Sequence, residues 1–440
     1  MNNKQRLELA GWAISRAKKE GADQVSVNIG NSRNIEVQHR DGMLDQLQDA
    51  TENYLSISIY ADSRYSNHST NDLRKESLEP FIREAVAMTK YLDQDQHRSL
   101  PDPKYYEGQR QLDLNLFDSG YDSVTSENRV KMAKEIEAIA HSLSDKIITC
   151  TAQYGDSIEH LVKVHSNGFE GEKHSTSFGG GLEVTVNDEG GGRPSDWSWC
   201  SVRHLKNMKS ADKMAKEAVE RSLAKVGQAK MESGVYDMIV ENRAANRLLY
   251  MLYEPMQGHL LYRKNSFLDG KLGEKIGSEK LSIIDDPFIP GGLGSKMFDG
   301  DGMATKRRTF IDKGVLKAYF ISYYYCRKLD MEPTTGAYSN VIFEYGDKSL
   351  DELIKDVKKG ILVTSFIGGN SNSTTGDFSY GIIGNYIENG KLIRPVNEMN
   401  ISGNQVDLWN QLVELGNDPY EYSSMRRPSL YFKDVQFSGI

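Results

Sequence analysis

Apolar residues recur at helical spacing over residues 4–20, at Leu7, Ala10, Ala13, Ile14 and Ala17, and Gly21 stops the run. The period then changes to two. Val25, Val27 and Ile29 predict a half-buried strand, Ile35 and Val37 resume the alternation after the polar stretch "GNSRN", read as a turn, and Leu55, Ile57 and Ile59 mark a further strand. A helix is expected over 75–92, with Pro80 in its first turn.

The order repeats about 120 residues later. Thr125 and Ser126 open a helix over 126–143, strands follow at 147–153, 159–165 and 181–187, and another helix covers 210–225. Two helix–strands–helix units therefore read as a duplication with little residue identity between them. The polar, Pro-containing stretch "PDPKYYEGQRQ" (101–111) separates the first unit, 1–105, from the second, 112–228.

From residue 233 to 440 the pattern is strand-rich: "GVYDMIV", "KRRTFIDKGVLKAYFIS", "GILVTSF", "GIIGNYIENGKLIRPV" and "SLYFKDVQF" alternate with Gly-rich turns. Lys313-Gly314 and Asn389-Gly390 signal hairpins. Two helices interrupt the strands, at 242–262 and 349–359. The expected fold is α+β, with duplicated helix–strands–helix units followed by a β-rich barrel- or sandwich-like domain.

Composition narrows the function. The mean hydropathy is −0.57, and no apolar run approaches the ~18 residues of a membrane span. The N-terminal stretch has no apolar core of the signal-peptide kind. Three cysteines, Cys150, Cys200 and Cys326, stand far apart, which suits a reducing, cytoplasmic setting rather than a disulfide framework. With 62 acidic against 54 basic residues the chain is acidic, and its basic clusters are short, so nucleic acid is not an expected partner.

Few residues suggest chemistry by themselves. His160 and His165, five apart in an alternating run, face opposite sides of a strand and cannot share a metal, while His174 could approach either. The Gly-rich segments contain neither a P-loop nor a dinucleotide fingerprint. Asp299-Gly300-Asp301-Gly302 lacks the remaining ligands of a calcium loop. The stretch "LLYMLYEPMQGHLLYRKN" places Glu254 five residues before His259, with Pro255 and Met256 at the positions where a helical partner ligand would stand. It fails as a self-contained zinc site, and Pro255 should bend the helix.

The segments "FDGDGMATKRRTFIDKGVLKAYFISYYYCRKLDMEPTTG", "TTGDFSYGIIGNYIENGKLIRPVNEMNISGN" and "HLLYRKNSFLDGKLGEKI" together resemble the TldD/PmbA family, long called modulators of DNA gyrase. The resemblance implies two branches. TldD-like members carry H-E-x-x-x-H on a helix and a late Cys, forming a metallopeptidase site. PmbA (TldE)-like members lack that site and pair with TldD in a complex that cuts unfolded peptides. Aligned on Gly258-His259, this chain has Glu254 at the first His position and Pro255 at the Glu position; "YEYSSMRRPSLYF" supplies no Cys.

The resemblance therefore implies the PmbA/TldE-like branch: no catalytic residues or metal in this chain, zinc in a TldD-like partner, unfolded peptides as substrate, and a homodimer in isolation. The loops Asp299, Asp301, Gly302 and Thr375, Gly376, Asp377 are the candidates for substrate- or interface-facing residues. Two alternatives stay open: a metal-dependent peptidase using Glu254 and His259, and a binding protein for a gyrase-related partner.

Overall fold

The computed structural model describes residues 1–110 and 112–440. Gln111, the last residue of the expected connection, lies outside the described residues. The chain opens with helix α1 (Asn3–Lys19), strands β1 (Gln24–Arg40), β2 (Met43–Ala61) and β3 (Arg64–Thr70), and helix α2 (Lys75–Thr89). The second unit repeats this order with α3 (Ser126–Leu143), β4 (Ile147–His165), β5 (Glu170–Val186), β6 (Ser195–Val202) and α4 (Ala211–Leu223).

All six strands form one sheet in the order β3-β2-β1-β4-β5-β6, with β1 and β4 antiparallel at its centre. The expected turn at "GNSRN" is absent. Residues Gly30 to Asn34 stay in β1 because both edges of the strand are paired, with β2 on one side and β4 on the other. Polar side chains there cost little, since the backbone groups are satisfied within the ladder. For the same reason the runs at 147–153 and 159–165 are one strand, β4. Pro80 sits in the second turn of α2 rather than the first, where its missing N–H leaves the Glu76 carbonyl without its usual donor.

The sheet's alternation fixes its two faces. Val25, Val27, Ile29, Leu55, Ile57, Ile59, Val162 and Val164 pack beneath α1 and α2. Cys150, Ala152, Leu182, Val184 and Cys200 pack beneath α3 and α4. All four helices therefore cover one face. The opposite face carries Ser26, Asn28, Lys163, His165, Trp197 and Trp199, and the third domain covers part of it.

That domain runs β7 (Gly234–Val240), α5 (Asn246–Tyr253), α6 (Gly258–Tyr262), β8 (Ile283–Asp285), β9 (Arg308–Asp312), β10 (Val315–Leu316), α7 (Tyr323–Leu329), β11 (Val341–Phe343), α8 (Leu350–Lys355), β12 (Lys359–Ser371), β13 (Asp377–Glu388), β14 (Lys391–Asn404), α9 (Gln405–Asn410), β15 (Leu412–Leu415) and β16 (Leu430–Ser438). The large sheet has the order β14-β13-β12-β7-β16-β15, and β14 also pairs with β16. The ring closes, so the domain is a barrel and not a sandwich. Its interior includes Met238, Val240, Ile361, Val363, Ile382, Met399 and Phe437.

Between the barrel strands, the chain from α5 through β11 reaches back to the sheet. Tyr324 in α7 donates to Asp95 at 2.6 Å, and Arg98 stacks on Tyr324 with its guanidinium carbon 3.6 Å from the ring centre. On the second unit, Arg203 donates to the Leu293 carbonyl at 2.5 Å. Lys163 donates to the Gly300 carbonyl.

Candidate functional site

Pro255 breaks the single helix expected over 242–262. α5 ends at Tyr253, a 3-10 turn covers Glu254–Met256, Gln257 is extended, and α6 restarts at Gly258. The break is held by the neighbouring chain: Gly258 N donates to the Phe320 carbonyl and Phe320 N to the Met256 carbonyl, both at 2.9 Å. The Pro255 carbonyl accepts from the Ser266 hydroxyl at 2.6 Å. Gly258 is fixed by packing, since a Cβ there would lie 2.9 Å from the Tyr325 Cβ in α7.

The break separates the two candidate ligands. Glu254 is exposed, and His259, on the restarted helix, is half-buried with its ring 6.3 Å from that of Tyr325. Neither belongs to a cluster of His, Cys, Asp or Glu ligand atoms among the described residues. The one thiol near this helix pair is Cys326, whose Sγ donates to the Tyr323 carbonyl at 2.9 Å and whose pKa burial pushes up to about 11. A zinc ion takes three or four ligands from one convergent set. One imidazole, a carboxylate across a break and a protonated thiol do not supply it.

Among the described residues, the one group of three ligand atoms within 4.8 Å of one another is Asp41, Glu137 and His141, on the first unit's hairpin tip and α3. Both carboxylates are already engaged. Glu137 accepts from Gly42 N at 2.7 Å and pairs with buried His39, and Asp41 accepts from Thr149 and Cys150 N at 2.9 and 3.0 Å. These bonds fasten the β1–β2 hairpin to α3 and β4.

The two candidate loops have different surroundings. Asp299 is buried and accepts from Asp301 N and Met303 N at 2.9 and 3.0 Å. Burial, then the nearby Asp301 charge, hold its pKa well above the carboxylate range. Asp301 in turn accepts from Tyr323 N at 2.9 Å at the first turn of α7. Gly302 packs on His165 and Phe169. The loop thus faces the sheet of its own chain, beside a cavity of about 160 Å³ walled by Ser26, Asn28, Lys163 and His165. His165 there is buried, with a pKa pushed down to about 3 by desolvation and then by the Lys163 charge.

Thr375, Gly376 and Asp377 form the turn between β12 and β13. Thr375 donates to Asp377 at 2.7 Å, and Asn404 donates to both Asp377 and the Thr375 carbonyl before capping α9. The Thr375 and Asn404 bonds hold the Asp377 carboxyl below its usual range. This loop does not approach Asp299 through any of these contacts.

The histidines separate as their spacing requires. His174 lies opposite His160 in the β4–β5 ladder and stacks on it at 3.8 Å, while His165 meets the Tyr106 hydroxyl at 2.9 Å. Residue-by-residue reading missed a third feature. A cavity of about 600 Å³ opens between the sheet face and residues 420–427, walled by Trp197, Trp199, Tyr420, Tyr422 and Arg427. Its signal in the sequence is "DWSWC", where alternation puts both tryptophans on the face away from the helices.

A repeated helix–sheet platform joined to a closed barrel, with a broken helix at the barrel's side, defines the architectural class. Residues 120–226 match the family model described as the PmbA/TldA metallopeptidase central domain, and residues 233–439 match its C-terminal domain. The chain belongs to the PmbA/TldA metallopeptidase family. It is 26% identical over 441 residues to the metalloprotease PmbA of Escherichia coli O157:H7, covering 98% of this chain and 94% of that one. A solved structure from Bacteroides thetaiotaomicron, described as a modulator of DNA gyrase, is 43% identical over 100% of both chains with a TM-score of 0.97. TldE from Thermococcus kodakarensis shares the fold at 21% identity and a TM-score of 0.87, covering 98% of this chain and 100% of that one.

Proposed function

We propose that this chain is the non-catalytic, TldE-like subunit of a cytoplasmic peptidase complex. Its partner is a family member that carries the intact H-E-x-x-x-H site and its zinc, and their joint substrates are unfolded peptides. The observation that carries the reading is the break at Pro255, which leaves His259 without convergent ligands. On this reading the barrel domain walls the partner's catalytic chamber, and main-chain hydrogen bonding accepts extended peptides of varied sequence. Alone, the chain forms a homodimer that mimics the heteromer. No helix among the described residues is long and apolar enough to cross a membrane.

Mixing the purified chain with an H-E-x-x-x-H homologue tests this directly. The expected result is co-elution and peptidase activity on an unfolded polypeptide that neither protein has alone. Absence of any complex would overturn the reading. The name of the Bacteroides thetaiotaomicron relative favours one other: a pull-down recovering a gyrase subunit and no family homologue would support a gyrase-directed binding role instead.

A further inference from the structure

The cavity beside β6 joins an aromatic floor to a buried cation. Trp197 and Trp199 alternate with Asp196, Ser198 and Cys200, which face α4, so both indoles lie on the face the helices leave open. Trp199 lies flat on β5 because its partner in the ladder is Gly181. A Cβ at 181 would come within 2.8 Å of the indole and 2.0 Å of the Ser198 carbonyl. The φ of Gly181 is not positive, so close approach is what a glycine supplies here. Across the cavity, Tyr420 and Tyr422 pack edge to face with ring centres 5.9 Å apart.

Arg427 forms the polar end. It is 6% exposed, and its guanidinium lies 4.7 Å from the Tyr420 ring centre. Nη1 donates to the Met425 carbonyl at 2.8 Å and Nη2 to the Arg243 carbonyl at 3.4 Å, while buried Nε has no partner among the described residues. No carboxylate of the described residues forms an ion pair with it. Desolvation pushes its pKa down to about 10. The neighbouring Arg243 differs: it pairs with Asp196 at 3.5 Å and lies over Trp197. A buried guanidinium without an anion is costly, and it fits carboxylate geometry with paired donors.

Resting on the peptide-substrate reading above, we propose that this cavity binds the C-terminal residue of an extended peptide. The free carboxylate meets Arg427, and the last apolar side chain lies against Trp197 and Trp199. Gln153 and Glu183 on the sheet wall provide donor and acceptor groups for the preceding peptide units. The volume is within the roughly 300–1,000 Å³ range of ligand sites and exceeds one side chain. The site selects a chain end and an apolar last residue and is indifferent to the rest, which suits unfolded substrates.

Tryptophan fluorescence and calorimetry on the full chain test it, using an N-acetylated hexapeptide ending in Leu as the free acid and as the C-terminal amide. The expected result is binding of the acid about tenfold or more tighter than the amide, the scale of one charge-assisted contact. Arg427→Gln removes the difference. Trp197→Ala, at a partly exposed position, weakens both peptides and keeps their ratio, which tests the site even if the arginine variant misfolds. Equal affinity for acid and amide, or no binding of either, overturns the proposal. Gain of peptidase activity on mixing without acid preference sinks this inference alone; acid preference without that gain sinks the subunit reading alone.

Discussion

Arg129 in α3 clamps Asp156 in β4 with two bonds, Nε to Oδ2 at 2.5 Å and Nη2 to Oδ1 at 3.1 Å, and both side chains are almost wholly buried. Tyr121 donates to the same carboxylate at 2.7 Å. Removing one member of such a pair strands the other charge in the interior. Asp156→Ala should lose about 3–5 kcal/mol in urea unfolding, whereas a double replacement, Arg129→Met with Asp156→Leu, should recover most of that loss.

The contribution of two buried carboxyls to stability should fall as pH rises through the mildly acidic range. Burial raises Asp285 from the usual carboxylate value of 3.8 to about 6, and Asp299 is shifted the same way. At these two sites the folded state then binds more protons than the unfolded state, so the stability they contribute at low pH is lost as pH climbs from about 4 to 6, against the opposite trend of buried His165. Asp285→Asn keeps the acceptor that Ser339 N uses at 2.5 Å and removes the titration. Denaturation at pH 4 and pH 7 should show the variant gaining on the natural chain by ~2 kcal/mol between the two. An unchanged difference would exclude Asp285 as the source.

The thiols should be inert in the native protein. Cys150, Cys200 and Cys326 are buried, and burial pushes Cys150 up to about 12 and Cys326 up to about 11. A thiol-disulfide reagent at pH 8 should label none of them on the minutes scale, and all three after denaturation.

Purified chain should carry no stoichiometric zinc by elemental analysis, and His259→Ala should leave its metal content unchanged. The same substitution should reduce the mixed complex's peptidase activity less than twofold. One zinc per chain, lost with His259, would favour the alternative in which this protein is itself a peptidase.

Much of this architecture can be read from alternation. Both repeats appear as a period near 3.6 giving way to a period of two, and Val25, Val27 and Ile29 identify the helix-covered face. The polar residues Gly30 to Asn34 mislead because strand continuity there comes from pairing on both edges, a long-range fact absent from a local window. Barrel closure was equally hidden: it depends on Asn400 and Ile401 meeting Ser438 and Phe437. α7 and α9 were missed since seven and six residues span less than two turns, too short a run for a helical period to stand out. Pro255 announced the break at the candidate site, but no spacing rule could bring Arg427 to Trp199, more than two hundred residues away.

The central seam of the platform has a cost for partial folding. β1 and β4 exchange backbone bonds from Ser26 opposite His165 to Arg40 opposite Thr151. Neither repeat can unfold alone without uncovering the full length of its neighbour's strand, an unpaired template for aggregation. During synthesis β1 emerges long before β4, so the newly made first half carries that adhesive edge until the second half arrives to cover it.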